Sequence, residues 1–239
     1  MEIITLVWQQ YLYIPLFNFL VWLYLNYSFY NLGIAVIILT VILRIVLLPF
    51  TILSERGKII GIKLKKEIAE IERDFVSDPV KKKLMVRQHL KKKKIRPWAK
   101  AVVLSVQGLV LVLLYRVFIG GINTEEKLHL LYPGIPRPDF INTKFLWFDI
   151  GKQNMMAAAI VAGFLFGQIL ISSWENHRHS NKKEQIYTLL FPALVFLILA
   201  ILPAVKSIFI LTSLIFSSII SIIVALIRFS LANKPAKAK

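Results

Sequence analysis

The sequence predicts an all-α integral membrane protein with five transmembrane helices. Of its 239 residues, 57% are hydrophobic, and they come in long runs rather than in alternation. A run of about 18 or more mostly apolar residues is long enough to cross a bilayer as a helix. In lipid such a span has to be helical, because no water is present to satisfy open backbone groups. The predicted spans are residues 29–51, 97–120, 153–173, 186–203 and 207–228.

The positive charge of the chain predicts its orientation in the membrane. A net charge of +17 is compatible with nucleic-acid binding, but 23 of the 30 Lys and Arg residues lie in three of the segments outside the spans, and the remaining connections hold five. The basic segments are 51–100, 174–185 and the tail from Arg228 onward. By the positive-inside rule these segments are cytoplasmic. The N-terminus and the loop 121–152 are then outside, and the basic tail 229–239 is inside.

The first 28 residues are predicted to lie in the outer interface of the membrane. They contain Glu2 and no basic residue, whereas a secretory signal peptide has a positive N-terminal region. The segment 1–28 is therefore expected to be retained. It is rich in Trp and Tyr and is interrupted by Pro15, which suits an interfacial helix. A sixth span is the competing interpretation.

Residues 52–96 predict a cytoplasmic helical hairpin. Apolar residues recur at helical spacing in its first half, among charged ones; they are Ile60, Leu64, Ile68, Ile71 and Phe75. Asp78 is a suitable N-cap and Pro79 a suitable first residue for a second, basic helix. The lysine-rich face of that helix is typical of a solvated surface that meets anionic lipids.

Two connections complete the predicted architecture. The outer loop ends in Phe145, Trp147 and Phe148 just before the third span, which fits an aromatic belt at the membrane interface. The turn "LPAVKS" is short enough to make the fourth and fifth spans an antiparallel pair.

Arg44 is the strongest candidate for a functional residue. It lies inside the first span, about 16 Å along the helix from Glu55. All 13 carboxylates lie outside the cores of the spans, so a charge at this depth has to face protein polar groups or water. Thr40, four residues earlier, extends the same polar stripe.

Polar residues in the other spans predict a wet cavity around Arg44. The residues that complete this candidate site are Gln107, Gln168, Ser172, Ser213 and Ser217. Both glutamines lie about 10 Å from the cytoplasmic end of their spans, so the simplest arrangement is a cavity open to the cytoplasm. Each signal has an alternative: a serine stripe also serves close helix packing, and a single glutamine also serves an interhelical hydrogen bond. Arg116, near the outer end, is interpreted as snorkelling.

Enzymatic chemistry is not indicated. The sequence contains no phosphate-binding GxxxxGK[ST], no GxSxG and no HExxH motif, and its spans contain no aspartate pair. Without cysteine it offers no disulfide, thiolate nucleophile or cysteine-ligated metal. His177 and His179 lie in a short basic loop at a spacing that does not favour a metal site. We predict no catalytic residue, metal or cofactor.

At this point the sequence resembles the YidC-type membrane insertases, whose relatives work in mitochondria and chloroplasts. The resemblance rests on the order and spacing of several segments over residues 30–228. The first is "ILTVILRIVLLPFTI", which carries Arg44 and is followed by the charged hairpin. The others are "HLKKKKIRPWAKAVVLSVQGLVLVLLYRVF", "FLWFDIG" and "ILPAVKSIFILTSLIFSSI".

The resemblance implies five helices around a hydrophilic groove that is open to the cytoplasm and to lipid. The groove arginine corresponds to Arg44 and the second-span glutamine to Gln107. The implied function is insertion of newly made membrane proteins into a bacterial plasma membrane without nucleotide hydrolysis. Implied partners are nascent membrane proteins and anionic lipids, with the ribosome and the protein translocon as further candidates and no specific nucleic-acid sequence.

Three departures from the family pattern bear on these partners. "IRPW" replaces a more usual Asn-Pro, the second hairpin helix is unusually lysine-rich, and the sequence shows no large extracytoplasmic domain or long basic tail. The alternative function is a transporter or channel for small solutes or anions, with Arg44 as the binding residue. Such proteins commonly show paired repeats and broken helices, and neither is evident in the sequence.

Overall fold

A computed structural model describes residues 6–55, 97–119, 125–175 and 182–232, together with positions 67, 68, 85 and 122. Its helices are α1 (Ile14–Asn26), α2 (Leu32–Val46), α3 (Leu48–Glu55), α4 (Pro97–Phe118), α5 (Glu125–Leu128), α6 (Met155–Glu175), α7 (Lys182–Ile201) and α8 (Val205–Ala232). A π-helical stretch, Trp8–Tyr13, leads into α1. A two-stranded antiparallel sheet joins β1 (Lys144–Phe145) and β2 (Phe148–Asp149).

The chain divides into two compact units. Unit 1 comprises Met1–Arg44 and Gly108–Phe216, and unit 2 comprises Ile45–Gln107 and Ser217–Lys239. Helices α2, α4 and α8 each contribute residues to both units.

Helices lie within all five predicted spans, and two are long and apolar enough to cross a membrane. Within the described residues these two are Ala101–Phe118 of α4 and Val205–Ile227 of α8. The pair α2 and α3 makes a third candidate if it is counted as one span. The apolar stretches of α6 and α7, Met155–Ile171 and Thr188–Ile201, are shorter than 18 residues. The structure therefore fits a helical membrane protein, and the count of five spans stays a prediction.

The first predicted span is bent rather than straight. Helices α2 and α3 meet at an angle of 63° across Leu47. Pro49 is the second residue of α3; it has no N–H to donate, and its ring collides with the carbonyl four residues earlier, so a straight helix through this point is disfavoured. The sequence-based span 29–51 missed this break, and the expectation of unbroken helices is wrong at this point.

Residues 125–152 of unit 1, where the sequence predicts a loop, are structured, and we call them the cap. Its β-hairpin pairs Phe145 with Phe148. The all-α class is correct for the rest of the described chain, but this hairpin is an exception. The turn between α7 and α8 is tied to the residues that follow β2: the N–H of Ala204 donates to the carbonyl of Lys152 at 2.8 Å, and that of Val205 to Ile150 at 2.9 Å.

Helix α1 is packed into unit 1. Its buried apolar residues are Phe17, Leu20, Val21, Leu23 and Tyr24. Asn18 is also buried; its amide donates to the carbonyls of Ile14 and Leu130, both at 2.9 Å, and its side-chain oxygen accepts from the N–H of Tyr132 at 2.7 Å. The bonds to Leu130 and Tyr132 fasten α1 to the loop between α5 and β1. The interfacial position of segment 1–28 stays a prediction.

Helices α6, α7 and α8 share a small apolar core. Ala158, Val161 and Leu199 are buried there, and residues of α7 and α8 pack around them. Residues 202–204 connect α7 to α8, in line with the short turn read from the sequence.

Several predicted segments fall outside the described residues. In the predicted cytoplasmic hairpin 52–96, the structure describes residues 52–55 and positions 67, 68 and 85. Residues 176–181 of the loop 174–185 and residues 233–239 of the tail are also outside the described part of the chain.

Candidate functional site

Arg44 is buried in the last turn of α2. It is 6% exposed, although the helix around it is almost entirely apolar. Thr40, one turn earlier, is fully buried, and its hydroxyl donates to the carbonyl of Val36 at 2.6 Å. Residues four apart lie on the same helix face, so the structure places these two predicted site residues together on a buried face.

The two faces of α2 near Arg44 have inverted polarity. Ile45 and Val46, the next two residues, are 56% and 65% exposed. In a water-soluble protein large apolar side chains are normally inside and arginine is rarely fully buried. An apolar outer face with a charge directed inward is the arrangement expected when the helix is surrounded by lipid.

The other predicted site residues are distributed over the two units. Gln168 and Ser213 belong to unit 1 with Thr40 and Arg44, whereas Gln107 and Ser217 belong to unit 2. Gln107, Gln168 and Ser217 are half-buried. Ser172 lies on α6, but its side chain is not among the described ones. The convergence of these residues on one groove remains a prediction.

Ser213 is a buried polar residue of the predicted site. It is fully buried on α8, and among the described atoms its hydroxyl oxygen has no hydrogen-bond partner. A buried hydroxyl without a partner carries a desolvation cost of about 1–3 kcal/mol. Such a group suits either a tight helix contact or a site that receives a polar ligand.

Sequence reasoning missed a second buried cation, Lys206. The sequence places it in the turn before the fifth span, but α8 begins at Val205, so Lys206 is in the first helical turn and is only 4% exposed. Its ammonium lies 3.8 Å from the centroid of the Tyr115 ring, within the range of a cation–π interaction. The available signal was the position of Lys206 at the boundary between the short connection and the fifth span. A residue at such a boundary can belong to the first turn of the helix instead of to the connection.

Arg116 also contacts an aromatic ring. Its guanidinium carbon lies 5.7 Å from the centroid of the Tyr13 ring. The C-terminal end of α4 therefore presents two adjacent side chains, Tyr115 and Arg116, to cation–π contacts within unit 1. Snorkelling of Arg116 is compatible with this contact, since a side chain that reaches along an apolar surface can end on an aromatic face.

The fold and these contacts define a class: a helical membrane protein with a buried cation in its first apolar span. Comparison with known proteins identifies the family. The model of the family described as "60Kd inner membrane protein" matches residues 22–230. The chain belongs to this family, which is the YidC family, and the resemblance read from the sequence is confirmed.

Individual relatives agree with this assignment. Proteins named "Membrane protein insertase YidC" from Staphylococcus aureus strains JH9, Newman and USA300 are each 29% identical over 169 residues. The matched region covers 66% of this chain and 54% of each relative, so the chain matches about half the length of these proteins. Together with the apolar helices, they indicate a protein of the bacterial cell membrane.

Proposed function

We propose that the protein is an insertase, which helps newly made membrane proteins enter the bilayer without hydrolysing a nucleotide. The observation that carries this proposal is the buried pair of Thr40 and Arg44 on a helix whose exposed side is apolar. Charged side chains inside membrane spans are rare and commonly mark a polar pathway. The family membership of the chain and the names of its relatives support the same function.

The proposed site is a hydrophilic groove open to the cytoplasm. Its lining comprises Thr40, Arg44, Gln107, Gln168, Ser172, Ser213 and Ser217. The groove admits water into the cytoplasmic half of the membrane, so a polar tail of a client crosses a thinner apolar layer. Arg44 supplies a positive field that attracts an acidic or hydrophilic tail.

The strength of this attraction suits a transient step. A carboxylate about 4 Å from a cation gains roughly 1 kcal/mol in bulk water and about 4 kcal/mol at the effective dielectric of a protein surface. A wet groove lies between these limits. The tail is therefore attracted to Arg44 but can be released once the apolar segment leaves for lipid.

Hydrophobic transfer is sufficient to drive the step. A segment of about 20 apolar residues gains roughly 0.3–0.6 kcal/mol per Leu, Ile, Phe or Val on entering the membrane, whereas a central charged residue costs roughly 2.5–3.5 kcal/mol. The summed gain of roughly 6–12 kcal/mol exceeds the cost of moving one such charge. No catalytic residue or nucleotide is needed, and we assign the protein no enzymatic activity.

The proposed orientation and partners follow from the charge distribution. The N-terminus is outside and the basic segments, including the C-terminal tail, are cytoplasmic. The substrates are nascent membrane proteins, and the lysine-rich cytoplasmic segments would meet anionic lipids, the ribosome or the translocon.

Reconstitution tests this function against transport. The purified protein is incorporated into lipid vesicles, and the same preparation is assayed for insertion of a newly synthesised single-span client and for flux of small anions. We expect protease-protected client that depends on the protein and no anion flux above that of empty vesicles. Anion flux without client insertion would favour the transporter and reject the insertase.

A further inference from the structure

Two adjoining turns of unit 1 expose large apolar side chains. In the turn between α1 and α2, Phe29 is 92% exposed and Tyr30 is 60% exposed. At the end of the β-hairpin, Leu146 is 72% exposed and Trp147 is 63% exposed. We call these four side chains the apolar tip.

The backbone of the apolar tip adopts a conformation that its residues disfavour. Phe29, Tyr30 and Leu146 have φ values of 52°, 56° and 52°, and among the described residues other than glycine these are the ones with positive φ. Bulky side chains rarely occupy this left-handed region. Leu146 is the first of the two residues between β1 and β2, where hairpins of this kind usually have glycine. The fold therefore bears strain at the same positions that present apolar groups outward.

The two turns are held together by specific contacts. The side-chain amide of Asn31 donates to the carbonyl of Lys144 at 3.2 Å, and the N–H of Leu32 donates to the carbonyl of Asn142 at 3.2 Å. The Phe145 ring packs so closely on Gly33 that a Cβ there would lie 2.8 Å from Phe145 Cβ. Strained backbone of this sort persists where the surrounding structure fixes it, and these contacts provide that support.

We propose that the apolar tip inserts into the interfacial layer of the lipid leaflet on its side of the membrane and anchors the cap there. The tip is continuous with the membrane-facing helices, because only Asn31 separates Tyr30 from Leu32, the first residue of α2. Tyr and Trp are the residues that prefer the headgroup level. Lys144, the first residue of β1, and Lys152, three residues after β2, have exposed side chains that complement anionic headgroups. This role is separate from the proposed insertase groove.

A single fluorescent label tests this anchor, since the native chain contains no cysteine. The full-length Leu146→Cys variant is labelled with an environment-sensitive nitrobenzoxadiazole dye and reconstituted into phosphatidylcholine and phosphatidylglycerol vesicles. The matched control is Gly134→Cys, an exposed position of the same loop at which an added Cβ meets no atom within 4 Å. Quenching is measured with a lipid that carries a spin label near its headgroup and with iodide in water.

The expected result is a blue-shifted emission at position 146, with lipid quenching several-fold stronger and iodide quenching several-fold weaker than at position 134. Equal iodide quenching at the two positions, with no lipid quenching at 146, would overturn the proposal. Shielding from both quenchers that changes with the protein-to-lipid ratio would indicate a second copy on the tip and would also reject the lipid anchor.

A second variant separates anchoring from folding. Leu146→Gly relieves the unfavourable φ, so a purely structural role predicts unchanged or higher thermal stability and an unchanged cap position. The anchor predicts that a dye on nearby Thr143→Cys moves to a more aqueous environment when Leu146→Gly is added, although the protein stays folded. An unchanged emission in the stable double variant contradicts the anchor.

Discussion

Replacing Asn18 by leucine tests how firmly α1 is attached to the cap of unit 1. The substitution keeps the size of the side chain but removes its bonds to the carbonyl of Leu130 and to the N–H of Tyr132. The carbonyl of Ile14 loses little, because in an α-helix it can still accept the backbone N–H of the residue four positions later. The site is 2% exposed, so water cannot replace the lost bonds without a change of structure.

The size of the effect follows from this count. Each buried polar group left without a partner costs about 1–3 kcal/mol, which gives roughly 2–6 kcal/mol for the two groups. Burial of the added apolar surface offsets about 1–2 kcal/mol of this cost. The net destabilisation lies within roughly 0–5 kcal/mol, and we expect a value near the middle, about 2.5 kcal/mol, which lowers the melting temperature of a chain of this length by roughly 5–10 °C at about 2–4 °C per kcal/mol.

The assay is thermal unfolding followed by circular dichroism in detergent, with Asn26→Leu as the matched control. Asn26 is on the same helix and also donates to the carbonyl four residues earlier, that of Trp22, at 2.9 Å, but it is exposed. A surface substitution of this kind changes stability by about 0.5 kcal/mol or less. Equal shifts for the two variants would refute the reasoning, because the long-range bonds of Asn18 would then contribute nothing.

Three further predictions concern the cap and the topology. Gly33→Ala should destabilise the protein by about 1–3 kcal/mol, because the new methyl group collides with the Phe145 ring; Gly108→Ala, with open space around it, should be neutral or stabilising in the same melting assay. Lys127→Met should cost about 1 kcal/mol in that assay, since the ammonium bonds two carbonyls at the end of α4 at 2.8 and 2.6 Å. Burial lowers the pKa of Lys127, and the neighbouring Glu126 opposes this effect. Desolvation therefore offsets part of the energy of the two bonds. A melting temperature of Lys127→Met equal to that of the wild type would show that these bonds add no net stability. A cysteine introduced at position 92 should be protected from an impermeant thiol reagent added outside intact cells. Labelling of this cysteine would show that the predicted orientation is wrong.

The sequence predicted the features that depend on composition and local spacing. The helices within the apolar runs, the short connection between α7 and α8 and the burial of Arg44 with Thr40 all follow from hydrophobic run length and helical periodicity. Arg44 stood out because the cost of a charge inside a membrane is large compared with any propensity effect.

Features that depend on long-range contacts were missed. The β-hairpin turns through Leu146 and Trp147, which carry no turn signal; tertiary contacts impose that conformation. Pro49 did carry a signal for a break, but the apolar run continues through it and concealed the 63° bend.

The insertion assay with Arg44 variants tests the central claim most directly. One client is prepared with an acidic tail and with a neutral tail, and its insertion is measured with the wild type, Arg44→Lys and Arg44→Ala, each verified as folded by its melting temperature. If Arg44 acts through its charge in a wet groove, Arg44→Lys keeps much of the activity. Arg44→Ala then loses most of the insertion of the acidic client and far less of the neutral one. A two-pronged anion site would behave differently, because lysine does not reproduce the fork of arginine. Normal insertion of the acidic client by folded Arg44→Ala would contradict the account, because the arginine would then not be the group that attracts the tail.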